Sequence, residues 1–313
     1  MLINMKDNLV VKSNDLVIAT YTMTTKEKEL LLACISQIDS RSDTADISKQ
    51  TKFTVTVQEM KDLFYKGKSQ DNAFRDLEQA SNRLFDREVT IKLEGDKWMR
   101  TRFVSSVLFN PDSSEVTLAF AEDILPYLTQ LKANFTKYKL IEITELSSIH
   151  AIRLYELIVM WVNQYQYSKQ LDLDDFRYIM GVKDKYKQFG QLRERVIETA
   201  INEINENTNY KISVEYRKVK RTYVSLTLKF HKKTLAKLAN RSGVLSQDTI
   251  ESIVNNVQFM NDYNDHPSLS YEGKMNTDIF KREMINITQR EPESFNKKNK
   301  GLEAYLPKVK QGR

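Results

Sequence analysis

A chain of 313 residues, 41% of them hydrophobic, can build two domains with a core each, and no run approaches the roughly 20 apolar residues of a membrane-spanning helix. The single cysteine excludes internal disulfides and cysteine-rich zinc sites, and Met1 to Val11 lack the apolar core and cleavage site of a signal peptide, so a cytoplasmic location is expected. The net charge of +6 is uneven: Gly181 to Lys233 holds thirteen Lys and Arg against six Asp and Glu, which favours a polyanionic partner, although a solvated basic face has the same composition.

In chain order, apolar residues recur at helical spacing from Thr24 to Asp39, with Thr24 or Thr25 as N-cap and the buried thiol Cys34 inside the run. A polar loop over 40–52 follows. Phe53 to Val57 alternates as a short strand, Val57 to Phe64 reads as a helix, Lys66-Gly67-Lys68 as a break, and Gln70 to Asp86 as a second helix. Three alternating stretches come next, Glu88 to Leu93, Trp98 to Phe109 and Glu115 to Phe120, joined by Glu94-Gly95-Asp96 and Asn110-Pro111-Asp112-Ser113. Helix, helix and hairpin is the winged-helix order, and Asp123 to Leu131 reads as a closing helix.

The pattern then repeats. Glu145 to Tyr165 is predicted as a long amphipathic helix, Leu173 to Val182 as a short helix stopped by Gly181, Phe189 to Asn205 as a third helix, and Tyr210 to Tyr216 with Tyr223 to Phe230 as a hairpin. Phe74-Arg75-Asp76-Leu77 and Phe189-Gly190-Gln191-Leu192 hold equivalent places in the two halves. The expected class is therefore α+β: two tandem winged-helix domains related by a pseudo-twofold internal repeat, at 8–134 and 135–238. Residues 239–313, rich in Asn, Ser, Asp and Lys, read as a flexible basic extension without an assigned fold.

In a helix-turn-helix the second helix enters the major groove, reading base edges while basic flanks hold phosphates. On a regular helical wheel Gln191, Arg195, Glu198 and Asn202 oppose the apolar side, which makes Arg195 the leading base-reading candidate, whereas Arg193 falls near the apolar sector. Lys183, Lys185, Lys187 and Gln188 stand at the start of that helix, and Arg217, Lys218, Lys220 and Arg221 surround the wing tip. In the first module Lys66, Lys68 and Arg75 are placed for phosphate contact but are interspersed with acidic residues. Its long strand from Thr101 to Phe109, with one free edge, suits pairing between subunits equally well.

Enzymatic readings find little support. His150, His231 and His266 are scattered, no Gly-x-x-x-x-Gly-Lys-Ser/Thr loop exists, and Asp172, Asp174 and Asp175 fit a helix N-terminus better than a metal site. No cofactor or metal is expected, and a metal- and tyrosine-dependent nicking activity is the weakest alternative.

Three elements carry a family resemblance: Ser147-Ser148-Ile149-His150-Ala151-Ile152-Arg153-Leu154-Tyr155-Glu156-Leu157, Phe176-Arg177-Tyr178-Ile179-Met180-Gly181-Val182, and Arg193-Glu194-Arg195-Val196 leading to Asn202-Glu203-Ile204-Asn205. With Leu9-Val10-Val11-Lys12-Ser13-Asn14-Asp15-Leu16, they make residues 8 to 235 similar to the iteron-binding plasmid replication initiators. The resemblance implies a bacterial protein that binds direct repeats in double-stranded origin DNA as a monomer and helps to melt adjacent DNA. It also implies recruitment of the host initiator, helicase and chaperones, and a dimer that represses its own gene. Arg193 and Arg195 match the family's arginine-rich first turn, and Glu194 departs from it. A dedicated repressor without initiation activity is the alternative; iterated direct repeats beside the gene would favour the initiator and a lone palindrome the repressor.

Overall fold

The computed structural model describes residues 5, 8–38, 51–129, 131, 133–233, 247–264, 266, 269, 277–290, 295 and 302–305, which leaves most of the polar loop over 40–52 outside the described residues. The chain divides into two units, Met1–His231 and Lys232–Arg313.

The first unit opens with strand β1 (Leu9–Ser13), helix α1 (Asn14–Ile18) and strand β2 (Thr20–Tyr21). Helix α2 (Thr25–Ile35) starts at a capping box, in which Thr24 Oγ1 accepts from the Glu27 amide and Glu27 accepts from the Thr24 amide. Strand β3 (Phe53–Thr56), helix α3 (Val57–Leu63) and helix α4 (Gln70–Phe85) follow, α3 with its own capping box at Thr56 and Glu59. The structure then departs from the predicted three-strand run. β4 (Glu88–Lys92) and β5 (Trp98–Arg102) form one hairpin that joins β2, while β6 (Val104–Asn110) and β7 (Glu115–Phe120) form a second that joins β3. The single strand expected over Trp98 to Phe109 breaks at Phe103, whose ring is buried edge-on against Tyr21, so its two halves become edge strands of different sheets. Residues Glu122–Tyr127 form a 3₁₀ turn in place of the expected helix, with Pro126 inside it.

The second module repeats this plan. Strand β8 (Phe135–Lys139) pairs with β1, so one sheet joins the residues on either side of the expected 134/135 boundary. Helix α5 (Ile149–Asn163) packs against α1 and β8. Strand β9 (Ser168–Asp172), helix α6 (Leu173–Ile179), helix α7 (Phe189–Leu192), a π-turn at Arg193–Glu198, helix α8 (Thr199–Asn207) and the hairpin β10 (Tyr210–Val219) and β11 (Thr222–Lys232) complete it. In both modules the strand before the helix pair, β3 or β9, pairs with the second hairpin strand, β7 or β11. The aromatic opening the third helix also meets the hairpin in both: Phe74 packs on Phe109 at 5.0 Å, and Phe189 on Tyr216 at 5.2 Å. The additional β4–β5 hairpin is what makes the halves unequal.

The modules meet tightly. Gly181 has φ +67°, and a Cβ there would lie 2.0 Å from the Tyr21 carbonyl oxygen, so only glycine fits. Arg153 on α5 donates to the carbonyls of Ala19 and Ile179, tying the first module's β2 region to the end of α6. Glu29 on α2 is buried, with Lys26 Nζ 3.0 Å away, and burial outweighs that attraction to push its carboxyl from 4.5 up to about 7. Because the folded value is raised, the folded chain binds this proton more tightly than the unfolded chain. Its stabilising contribution is present below pH 4.5 and lost as pH rises to about 7. Glu29→Gln is therefore expected to be more stable than the parent above pH 7, by on the order of 1–2 kcal/mol, with the gap closing below pH 4.5 in thermal melts.

The described residues of 239–313, which the sequence reading left without an assigned fold, contain a small core of their own. Helices α9 (Gln247–Val254), α10 (Val257–Asp262) and α11 (Thr277–Arg290) bury Ile250, Ile253, Phe259, Tyr263, Met284 and Ile287 together with Phe295, Leu302 and Tyr305. Composition misled because the apolar residues are few but large: the rings of Tyr263, Phe295 and Tyr305 lie 5.0, 5.5 and 5.3 Å from that of Phe259. The basic residues near the C-terminus, Arg290 apart, lie outside the described residues. Among the described residues, no helix is long and apolar enough to cross a membrane, and no group of three His, Cys, Asp or Glu is arranged to hold a metal ion.

Candidate nucleic-acid interface

The third helix of the second module buries Leu192, Val196, Ile197, Ala200, Ile201 and Ile204 and leaves Gln191, Arg195 and Asn202 exposed, as the wheel predicts. Arg193 is a correction. A regular helix would turn it towards the apolar sector, but here the π-turn inserts one residue, which rotates the preceding side chains by about 100°. Arg193, Glu194 and Arg195 are therefore all exposed on the first turns. Two interactions at five-residue spacing span the wide turn: Arg193 Nε pairs with Glu198 Oε1 at 3.3 Å, and Thr199 Oγ1 donates to the Glu194 carbonyl at 2.9 Å.

The helix is latched in place by residues that sequence reading left without a role. Glu203 caps α5 from α8, its Oε2 accepting from the Ser147 and Ser148 amides at 2.8 and 3.0 Å. Asn205 exchanges two hydrogen bonds with the backbone of Ile212 on β10, at 2.9 and 2.6 Å. These residues set the pitch of the helix that Gln191, Arg195 and Asn202 ride on.

The two basic clusters lie beside one another. Lys183, Lys185, Lys187 and Gln188 are exposed in the turn before α7, and Arg217, Lys218, Lys220 and Arg221 are exposed at the wing, where Lys220 and Arg221 make the tip with Lys220 at φ +55°. An aromatic cluster joins the wing stem to the helix start: Phe189 stacks on Tyr223 at 3.8 Å and meets Tyr216 edge-on at 5.2 Å. Lys218 Nζ lies 4.3 Å above the Tyr223 ring, which fixes one wing lysine by a cation–π contact. In the turn, Arg177 of α6 donates to the carbonyls of Lys185 at 2.9 Å and Lys187 at 3.3 Å. Tyr186, at φ +52°, places its ring edge-on to His150 with 6.2 Å between centroids. Burial, with the charges of Arg153 and Lys185 adding to it, draws His150 down to about 4, so it is neutral at physiological pH. The sequence offered only a weak signal for Arg177, as one basic residue at the end of a short helix.

In the first module Lys66, Lys68 and Arg75 are exposed but engaged. Lys66 pairs with Glu145, Lys68 with Asp76, and Arg75 donates to Asn72. Exposed pairs of this kind contribute about 0–1 kcal/mol, so a phosphate can displace the carboxylate at small cost. Carboxyl groups at this face nonetheless make it less positive than the second module's tip.

The comparisons with known proteins follow this division. A model of the family "Initiator Replication protein, WH1" matches residues 9–159, and a model of the family "Initiator Rep protein, WH2" matches residues 172–230. The chain belongs to the plasmid replication initiator family. Both winged-helix domains of that family are present and in order. A curated relative, the "Replication initiation protein" of Escherichia coli, is 27% identical over 219 residues, covering 68% of this chain and 67% of the relative. The solved structure "Crystal structure of Pi initiator protein in complex with iteron DNA" matches with a TM-score of 0.60 at 18% identity, over 73% of this chain and 98% of that one. At that identity it bears on the fold alone, which is the tandem winged-helix fold.

Proposed function

We propose that this replication initiator binds direct repeats, the iterons, in the double-stranded DNA of a plasmid origin, chiefly through its second winged-helix domain. The third helix would lie in the major groove with Gln191, Arg193, Arg195 and Asn202 towards base edges. Lys183, Lys185, Lys187 and Gln188 would hold phosphates on one side of the groove, and Arg217, Lys218, Lys220 and Arg221 on the other, with Lys66, Lys68 and Arg75 of the first domain adding weaker contacts. The observation that carries this reading is the stacking of Phe189 on Tyr223, which brings the lysine-rich turn and the basic wing to one end of the module. Binding would promote melting of adjacent DNA and recruit the host initiator and helicase, with chaperones as further partners. Subunit pairing would use the first domain, where β6 is an edge strand with Leu108 exposed, and the dimer would repress the initiator's own gene. None of these steps requires a cofactor, a metal or enzymatic chemistry.

The test is binding of the purified chain to fragments of its own plasmid's non-coding DNA, at two salt concentrations with excess competitor. A ladder of discrete complexes on a repeat-bearing fragment, persisting at the higher salt, is expected. Discrete binding confined to a lone palindrome would make the chain a dedicated repressor. Smooth binding that collapses with salt and competitor would reduce the surface to a generic basic patch.

A further inference from the structure

Resting on the reading of the second domain as the DNA-binding surface, we infer that Arg177 and Tyr186 are positioning residues for DNA binding: they set the backbone of residues 185–187 so that Lys185 and Lys187 meet two phosphates as a fixed pair. Neither would touch DNA itself.

The turn is held from two sides. From α6, the half-buried Arg177 sends Nη1 to the Lys185 carbonyl at 2.9 Å and Nη2 to the Lys187 carbonyl at 3.3 Å, two residues apart. From α5, the His150 ring receives the Tyr186 ring edge-on, 6.2 Å between centroids. Between the two clamped carbonyls Tyr186 takes the left-handed conformation, φ +52°, which is uncommon for a residue with a bulky side chain. The guanidinium fork and the ring contact hold the turn on either side of it. With the central residue anchored inward, Lys185 and Lys187 on either side remain exposed, as does Lys183.

Charge alone does not select an arginine here, since the last turn of α6 favours any cation. Its shape accounts for it. One planar guanidinium reaches both carbonyls at once, whereas an ammonium supplies the same charge without the fork. Three lysines at alternate positions on an unclamped turn would repel one another, and each would have to be ordered separately when a phosphate arrived. A clamped turn has met that ordering cost in the free protein, so affinity is higher and dissociation slower for the same contacts.

The experiment compares the full chain with Arg177→Lys, with Lys185→Ala/Lys187→Ala, and with the triple variant. Binding to a direct-repeat duplex and to a random-sequence duplex is followed by fluorescence anisotropy across a salt series. Arg177→Lys keeps the charge and is expected to weaken binding to both duplexes on the order of tenfold. It should also lower the salt slope by up to about 1.8, the value of two phosphate contacts, as the double alanine variant does. Adding Arg177→Lys to that variant should cost nothing more. Wild-type affinity and slope for Arg177→Lys, or a further loss in the triple variant, would overturn the clamp. Tyr186→Gly, which keeps the turn's backbone conformation accessible while removing the ring anchor, gives a second route: a flattened slope supports the inference and an unchanged one counts against it. If the double alanine variant binds like the parent, the DNA-surface reading falls; if it is weakened and Arg177→Lys is not, only the clamp falls.

Discussion

Replacing Glu156 with alanine is expected to destabilise the two-module unit by about 3–5 kcal/mol, measured by chemical denaturation near neutral pH. Glu156 sits on α5 with 1% of its side chain exposed. Lys12 donates to its Oε1 from β1, Lys28 Nζ from α2 lies 3.0 Å from Oε2, and the Tyr138 hydroxyl donates to Oε1 at 2.7 Å. Lys28 also donates to the Tyr21 hydroxyl at 2.6 Å, and Arg153 lies 3.7 Å above the same ring. One carboxylate thus serves two buried ammonium groups with a buried guanidinium nearby, so its removal leaves positive charge in a dry interior. Burial opposes ionisation of Glu156, but the lysines prevail and hold its carboxyl at about 2, while burial draws Lys12 down to about 8 despite the carboxylate beside it. The pH dependence gives a second readout. Because the folded value of Lys12 is depressed below 10.5, the unfolded chain keeps a proton that the folded chain releases, and this group's contribution to stability rises with pH between about 8 and 10.5. Without Glu156 that depression deepens, so the deficit of the variant should shrink as pH rises towards about 8 and level off between about 8 and 10.5, where Lys12 has lost its proton in both folded chains. A loss below about 1 kcal/mol, or one independent of pH, would mean that the cluster is solvated.

The duplicated plan was legible because each half announces itself by caps, a helix pair and a turn-rich hairpin, and periodicity reports these directly. The strand swap at Phe103 was not. Alternation continues through Trp98 to Asn110, and only the tertiary position of Tyr21 shows that the buried Phe103 ring ends one sheet and begins another. The C-terminal unit escaped because a core of a few large rings leaves mean composition polar. At the candidate site the basic clusters were visible as charge, but their adjacency depends on Phe189, Tyr216 and Tyr223, which sequence reading could assign only to a core. The segments carrying the family resemblance proved to be largely latches: Arg153 joins the modules, Glu156 centres the buried ions, Glu203 caps α5 and Asn205 holds β10. Such residues each hold several partners at once, and the proposed base-reading residues Arg193 and Arg195 lie between them in the chain.

Arg195→Ala is expected to cost about 1–3 kcal/mol in repeat binding and to relax preference at one base pair, because an arginine fork towards a guanine edge is worth that much discrimination. Its placement favours this over a phosphate contact. It is exposed on the π-turn of the third helix, within the first turns whose side chains meet base edges in a helix-turn-helix. Arg193→Ala should cost less, since in the free protein Arg193 already pairs with Glu198 at 3.3 Å and must give up that contact to reach DNA. Lys220→Ala at the wing tip should differ in kind, weakening all duplexes alike and lowering the salt slope by about 1. The measurement is affinity for a panel of repeat duplexes, each with one base pair changed, at fixed salt. A single position at which Arg195→Ala no longer discriminates would place the arginine opposite that base pair. Uniform weakening across the panel would make Arg195 a phosphate contact and leave Gln191, Arg193 and Asn202 as the remaining candidates for reading sequence.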